Sequence, residues 1–279
     1  MLTLDNDEEK KAVVILTRGY TDLKKYDDLI KRNKSISNNL INKSMDIIVF
    51  HEGNIQPNHQ QYITQFTPEL NLIFINVKER NQAFLDKDVV FDKDTISFNM
   101  GYRHMCSFWF VDFWNYLDEY DHILRIDEDC IIYFDIDSIF EKMENKIAVY
   151  GKWVNDADFV TKNLSNFTLD FLKKNSLRHE SCSGPYTNII GFNLKLLRKN
   201  ERLKEYINII KEKNYIYIYR WGDLPLWGQV LHYFYNKNDY LNTTEIKYFH
   251  GSHSQLVNLQ PNPTLPSRQQ QSYNKWKMF

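Results

Sequence analysis

The chain is poor in cysteine. Cys106, Cys130 and Cys182 are the three in 279 residues, and no two of them form a Cys-x-x-Cys pair. That argues against a disulfide framework and against a thiolate zinc module, while a single bridge stays open. Charge of one sign is also lacking. With 35 Lys and Arg against 36 Asp and Glu, the formal net charge is −1. No global positive field draws nucleic acid, so an anionic ligand has to be held by local charges or by a metal. Long hydrophobic runs are missing as well. Near the N-terminus the apolar run is only Ala12 to Leu16, which predicts neither a signal peptide nor a membrane span. There is no internal repeat and no clear domain boundary.

What is present is core material. Hydrophobic residues make up 43% of the chain, and 18 Tyr, 18 Phe and 6 Trp supply large apolar surfaces. This excludes general disorder and suits one large α/β domain spanning 1–279. Within it, residues 1–10 read as a flexible N-terminus and 252–279 as an irregular wrap or lid, with three prolines and a Gln run. Short apolar runs at 12–17, 45–53 and 70–77 predict strands buried on both faces, with a helix-compatible segment after the first. Residues 100–120 predict a helix with aromatics on one face. "HILRI" is the next strand, 147–153 another, 203–217 an amphipathic helix, and 245–251 a last strand ending in a histidine. Strands alternating with helices imply a mainly parallel sheet flanked by helices.

The stretch "DHILRIDEDCIIYFDID" places Asp127, Glu128 and Asp129 where the buried strand ends. A bare Asp-x-Asp is common in solvated loops. At the carboxyl end of a parallel strand, however, it stands where ligands bind in open sheets. Clustered carboxylates there suit Mg²⁺ or Mn²⁺ carrying a diphosphate, whose charge the metal would neutralise. The second pair, Asp135 and Asp137, has the plainer reading of a helix cap, with Asp137 or Ser138 at the N-terminus of "SIFEKM".

Four segments in order, "GYRHMCSFW", "RIDEDCIIYFDID", "RWGDLPLWGQVL" and "IKYFHGSH", resemble the fungal α-1,2-mannosyltransferases of glycosyltransferase family 15. The resemblance runs from about residue 10 to residue 253. It implies a GT-A fold and a metal-dependent, retaining transferase that moves a hexose from a nucleotide sugar, with GDP-mannose favoured, to a glycan or glycoprotein acceptor. It implies Mn²⁺ or Mg²⁺ as cofactor, held by Asp127, Asp129 and His250, with His253 as the alternative histidine. Arg18, Tyr102, Arg125, Asp127 and Asp129 fall on the donor side. Trp221 and Asp223 fall on the acceptor side, and Asp223 and Tyr102 are the candidate catalytic residues. Without the resemblance, Tyr102 and Trp221 read as packing aromatics, Arg18 as a surface cation and Asp223 as a cap on the helix that begins near Pro225. Location stays open between the secretory pathway, which the resemblance implies, and the cytoplasm.

Two departures stand out. The family's proline falls on Glu128. The glutamate often proposed as the family's nucleophile falls on Ile190, within "TNIIGF", which excludes a double displacement through that side chain. Two other readings therefore stand beside the transferase: an inactive sugar-nucleotide or glycan-binding protein, favoured by Ile190, and a metal-dependent nucleotide-sugar hydrolase.

Overall fold

The computed structural model describes residues 9–80, 83–173 and 182–259. The stretches read as a flexible start and a terminal wrap lie largely outside them. Strands follow in the order β1 Lys11–Leu16, β2 Asp46–His51, β3 Asn71–Asn76, β4 His122–Ile126, β5 Cys130–Ile132 and β6 Ala148–Tyr150. They continue with β7 Trp153–Asn155, β8 Ser183–Pro185, β9 Ile189–Asn193, β10 Tyr240–Asn242, β11 Tyr248–His250 and β12 Gln255–Val257.

Among the described residues, a seven-stranded sheet runs β10-β6-β9-β4-β1-β2-β3. β1 pairs in parallel with β2 and β4, β2 with β3, and β6 with β10. Only β9 runs antiparallel, against both β4 and β6. Because β9 is reversed, its entry residues Thr187 and Asn188 share a rim with the exit of β4. The backbone N–H of Asp127 donates to Asn188 O at 2.9 Å. The central strands have continuous apolar runs because helices cover both faces, so β1 and β4 are buried almost end to end.

The expected elements are present, with shifted limits. The segment 100–120 divides into an α-helix at Met100–Ser107, a π-helical turn at Phe108–Asp112 and a 3₁₀ turn at Phe113–Tyr116. Its aromatics pack on all sides of the segment rather than along one stripe. The helix expected at 203–217 ends at Glu212 and restarts at Tyr215, because Asn214 adopts a left-handed conformation, φ 54°. The strand at 147–153 is two, β6 and β7. Asp137 does not cap the helix Ile136–Met143. Asp135 does, accepting from the N–H of Asp137 and of Ser138, and Asp137 instead accepts from Ile41 N at 2.7 Å.

Two local devices position the site. The helix Asp27–Asn39 turns Arg32, Asn33 and Ser35 inward with its apolar residues. Arg32 Nε donates to the carbonyl of Ile126 at 3.1 Å, and Ser35 Oγ accepts from Ile132 N at 3.2 Å. The acidic segment is thus held from below at both ends. The helix Asp223–Phe234 approaches β8 so closely that a Cβ at Gly228 would lie 1.7 Å from the carbonyl oxygen of Ser183. Only glycine permits that approach, which sets the height of Asp223 in the first turn.

Candidate active site

Successive side chains on β4 alternate between the two faces of the sheet. Leu124 and Ile126 join the apolar cluster under the small sheet, while Ile123 joins the aromatic cluster on the other side. Arg125 lies on that aromatic side, its guanidinium 4.4 Å from the centroid of the Trp109 ring. It is nearly fully buried and grips two carboxylates. Nε and Nη2 reach Asp127 at 2.8 and 3.1 Å, and Nη1 reaches Asp223 at 2.5 Å. Burial works against the Arg125 charge, but Asp127 and Asp223 outweigh it and hold the guanidinium protonated. Burial likewise raises the Asp127 carboxyl, with Arg125 opposing the rise.

Two residues on, the chain turns to a different partner. β5 pairs antiparallel with β11, and His250 stands directly across from Cys130. The turn after β11 folds over Asp129: Gly251 N donates to its carbonyl at 2.9 Å and Ser252 N to its carboxylate at 2.7 Å. His250 Nε2 lies 3.4 Å from the same carboxylate. Burial pushes the Asp129 carboxyl up, but the hydrogen bonds from His250 and Ser252 prevail and hold it at about 2. The imidazole is further fixed by Tyr186 Oη at 3.0 Å from Nδ1 and by Asn188, whose amide nitrogen is 3.0 Å from Nδ1 and 3.1 Å from Nε2 and whose oxygen accepts from Tyr248. His253 stacks on His250, ring centroids 4.6 Å apart.

The acids that look alike in sequence therefore divide. Asp127 belongs to the Arg125–Asp223 network, and Asp129 belongs to His250. Asp129, Cys130 and His250 offer ligand atoms that all lie within 4.8 Å of one another, and Asp127 is not part of this group. Carboxylate and imidazole fit a divalent cation. Around His250 the carboxylate within reach is that of Asp129, while Asp127 is held by Arg125. Glu128, at the family's proline position, turns to the end of β1, where Tyr20 Oη donates to it at 2.6 Å and Thr17 also donates. Arg18 is exposed on the same rim and stacks over Tyr20 at 5.2 Å.

Tyr102 is partly exposed and its hydroxyl accepts from Arg220 at 2.6 Å. Arg220 packs against both Phe98 and Tyr102, 4.3 and 4.6 Å from their centroids, and pairs with Asp156 at 3.3 Å. It holds a left-handed backbone, φ 61°, a strained conformation for a non-glycine residue. Burial raises the Tyr102 phenol well above its ordinary value. Trp221 corrects the acceptor-side expectation. It is fully buried against Tyr215, Tyr219 and Phe167, with Nε1 donating to Lys162 O at 2.9 Å, and offers no ring face to a sugar. Ile190 is fully buried in β9, paired with Arg125 and therefore on the same face of the sheet, where it packs in the aromatic cluster.

Residues given no role from sequence are Arg220, Asp156, Tyr186, Asn188, Ser252 and Cys130. Arg220, Cys130, Asn188 and Ser252 lie inside quoted motifs, so their positions carried a signal. Asp156 and Tyr186 carried none, because the long-range pairing of β7 with β8 brings them in.

This topology, with acids at the exit of a central parallel strand and one reversed strand beside it, is the GT-A fold. A structure of the mannosyltransferase Ktr4p from S. cerevisiae in complex with GDP superposes with TM-score 0.72 at 19% identity, covering 87% of this chain and 71% of that one. Core-mannan synthase A (CmsA/Ktr4) from Aspergillus fumigatus in its Mn/GDP form gives 0.73 at 16% identity, over 89% and 76%. By sequence, the chain is homologous to fungal mannosyltransferases. It is 27% identical over 171 residues to a glycolipid 2-alpha-mannosyltransferase of Saccharomyces cerevisiae, covering 54% of this chain and 38% of the relative. It is 27% identical over 205 residues to O-glycoside alpha-1,2-mannosyltransferase homolog 3 of Schizosaccharomyces pombe, covering 63% and 53%. The chain thus spans about half or less of the length of these curated relatives. No protein-family model matches it.

Proposed function

We propose that this chain is a glycosyltransferase that moves a hexose, mannose in first place, from a nucleotide sugar to a glycan or glycoconjugate acceptor, with a divalent cation and with retention of configuration. The observation that carries the reading is the double cluster at the exit of β4, Asp129 with His250 and Arg125 with Asp127 and Asp223. The homologues named as mannosyltransferases and the GDP-bound and Mn/GDP structures of similar fold support it.

Asp129 and His250 would hold the cation, which when bound neutralises charge on the departing diphosphate. Tyr186 fixes the His250 ring through Nδ1, so that Nε2 faces Asp129, the arrangement that orients an imidazole ligand. Arg18 and Tyr20 at the end of β1 would meet the nucleotide. Asp223, already bound by Arg125, is suited to orient an acceptor hydroxyl rather than to attack carbon. With Ile190 where a nucleophile would stand, the acceptor oxygen would bond to the anomeric carbon on the face from which the diphosphate leaves. The carbon–oxygen bond to phosphate breaks, and the acceptor proton passes to the departing phosphate oxygen. Tyr102 and Arg220 border this space and would position the sugar.

Incubation with GDP-mannose, Mn²⁺ and simple mannosides tests the reading. It expects an α-linked product by NMR and no hexose adduct on the protein by mass spectrometry. A β-linked product or a trapped glycosyl-enzyme would overturn the mechanism. Tight nucleotide-sugar binding without transfer to any acceptor would favour the binding-protein reading, for which the buried Ile190 is the supporting observation. Free mannose as the sole product would favour a hydrolase.

A further inference from the structure

Cys130 has no part in the mechanism above, yet it stands beside the cation ligands. It is the first residue of β5 and sits across from His250 in the β5–β11 ladder. Directly opposed residues on paired strands point to the same face, with Cβ atoms roughly 4.5–5.5 Å apart. Asp129, its chain neighbour, is drawn to the same point by the turn over it. A Cβ on Gly251 would lie 3.3 Å from Asp129 Cβ, and Gly251 N holds the Asp129 carbonyl at 2.9 Å. The consequence is a carboxylate oxygen, a thiol sulfur and an imidazole nitrogen all within 4.8 Å of one another. Ligands of one tetrahedral ion with metal–ligand bonds of about 2.0–2.3 Å lie roughly 3.3–3.8 Å apart. A closing movement on the order of 1 Å in side-chain torsions would therefore complete a three-ligand site.

We propose that Cys130 is a third protein ligand of the cation site, making it an Asp–Cys–His site that takes thiophilic divalent ions such as Zn²⁺ and Co²⁺ in preference to Mn²⁺ and Mg²⁺. This rests on the reading of Asp129 and His250 as cation ligands. The chemistry follows from the donor set. Oxygen-only sites suit hard ions, whereas one thiolate beside an imidazole and a carboxylate shifts affinity toward softer ones. As the sulfur–metal bond forms, the thiol proton leaves to solvent, so binding of each ion releases a proton. The structural surround fits a ligand role. Tyr186 holds the His250 ring at Nδ1, the Asn188 amide nitrogen lies 3.0 Å from Nδ1 and 3.1 Å from Nε2, and the Ser252 hydroxyl lies 3.2 Å from Nε2. Three protein ligands leave a fourth position open, as in catalytic rather than structural zinc sites, and a diphosphate oxygen could fill it. The same set makes zinc a competitor of manganese at this site.

Cobalt reports thiolate ligation directly. Titration of the purified chain with Co²⁺ is expected to produce a near-ultraviolet sulfur-to-cobalt charge-transfer band and intense visible bands of a tetrahedral ion. Cys130→Ser and Cys130→Ala are expected to lose the charge-transfer band. Their Zn²⁺ affinity should fall at least about tenfold, equivalent to ~1.4 kcal/mol. Their Mn²⁺ affinity, measured by calorimetry, should fall by a smaller factor than their Zn²⁺ affinity. Circular dichroism checks that each variant is folded, and the alanine variant serves if the serine one is not. Cobalt bound without a charge-transfer band, or a band that survives in both variants, would overturn the thiolate ligand while leaving the Asp129–His250 reading standing. No binding of Co²⁺, Zn²⁺ or Mn²⁺ by calorimetry would overturn both.

Discussion

Replacing Arg125 by methionine tests the core of the site most severely. In the folded chain the guanidinium is nearly fully buried and makes three charge-assisted hydrogen bonds, to Asp127 at 2.8 and 3.1 Å and to Asp223 at 2.5 Å. Methionine keeps most of the stem volume against Trp109 but leaves two carboxylates facing each other without a cation. Removing one partner of a buried ion pair costs about 3–5 kcal/mol, chiefly because the remaining charge is uncompensated. For a domain of this size that is a fall in melting temperature of roughly 6–15 °C. The loss should depend on pH with a definite sign. Unpaired carboxylates bind a proton more tightly in the folded than in the unfolded state, so stability returns as pH falls. Urea unfolding between pH 5.5 and 7.5 is the assay. The difference between variant and parent should shrink toward the acid end. It should also shrink when Asp223→Asn is added, since the double variant no longer opposes two charges. A loss below about 1 kcal/mol, or a loss independent of pH and of Asp223, would refute the network as drawn.

Other outcomes follow from the same geometry. Ile190→Glu places a carboxylate in the fully buried interior of β9, so it should not raise the transfer rate and should cost at least about 4 kcal/mol of stability; a rate gain in a folded variant would show that the position reaches the reacting carbon. Gly228→Ala should destabilise by about 3 kcal/mol or fail to fold, because its Cβ meets backbone 1.7 Å away; a variant with an unchanged melting curve would contradict the packing of that helix on β8. Asp129 is held at about 2 in the folded chain, below the 3.8 of an ordinary aspartate. Its contribution of about 2 kcal/mol should be complete above about pH 5 and fade as pH falls through 3.8 toward 2. Asp129→Asn should remove that part of the acid-side slope in urea titrations, and an unchanged slope would contradict the Asp129 environment.

Much of the fold was legible because its signal is local. The apolar runs that become β1 to β4 are short, continuous and bounded by polar segments, as strands buried on both faces must be. β9 was not legible as a strand. "NIIGFN" is short and carries a glycine, and its place in the sheet comes from long-range pairing with β4 and β6. Trp221 illustrates a second limit: an aromatic in a motif reads equally as a stacking platform or as core, and only burial separates the two. The division of labour between Asp127 and Asp129 is a third. Alternation along the strand puts Asp127 on the side of Arg125, but the turn that aims Asp129 at His250 depends on a strand more than a hundred residues away. Arg32 is the reverse case, a basic residue on a polar helix that ends fully buried beneath the acidic segment, where burial lowers it to about 9.

The most direct test of the central claim is a thermal shift with GDP-mannose, with and without Mn²⁺, on the parent and on Asp129→Ala. A ligand that binds only the folded state at a hundred times its Kd adds about 2.7 kcal/mol, or roughly 5–10 °C for a chain of this length. The account predicts a shift of that size in the parent that requires Mn²⁺, and its loss in Asp129→Ala with the unliganded melting temperature lowered by only a few degrees. A parent that ignores GDP-mannose with Mn²⁺, or an Asp129→Ala variant that responds as the parent does, would contradict it.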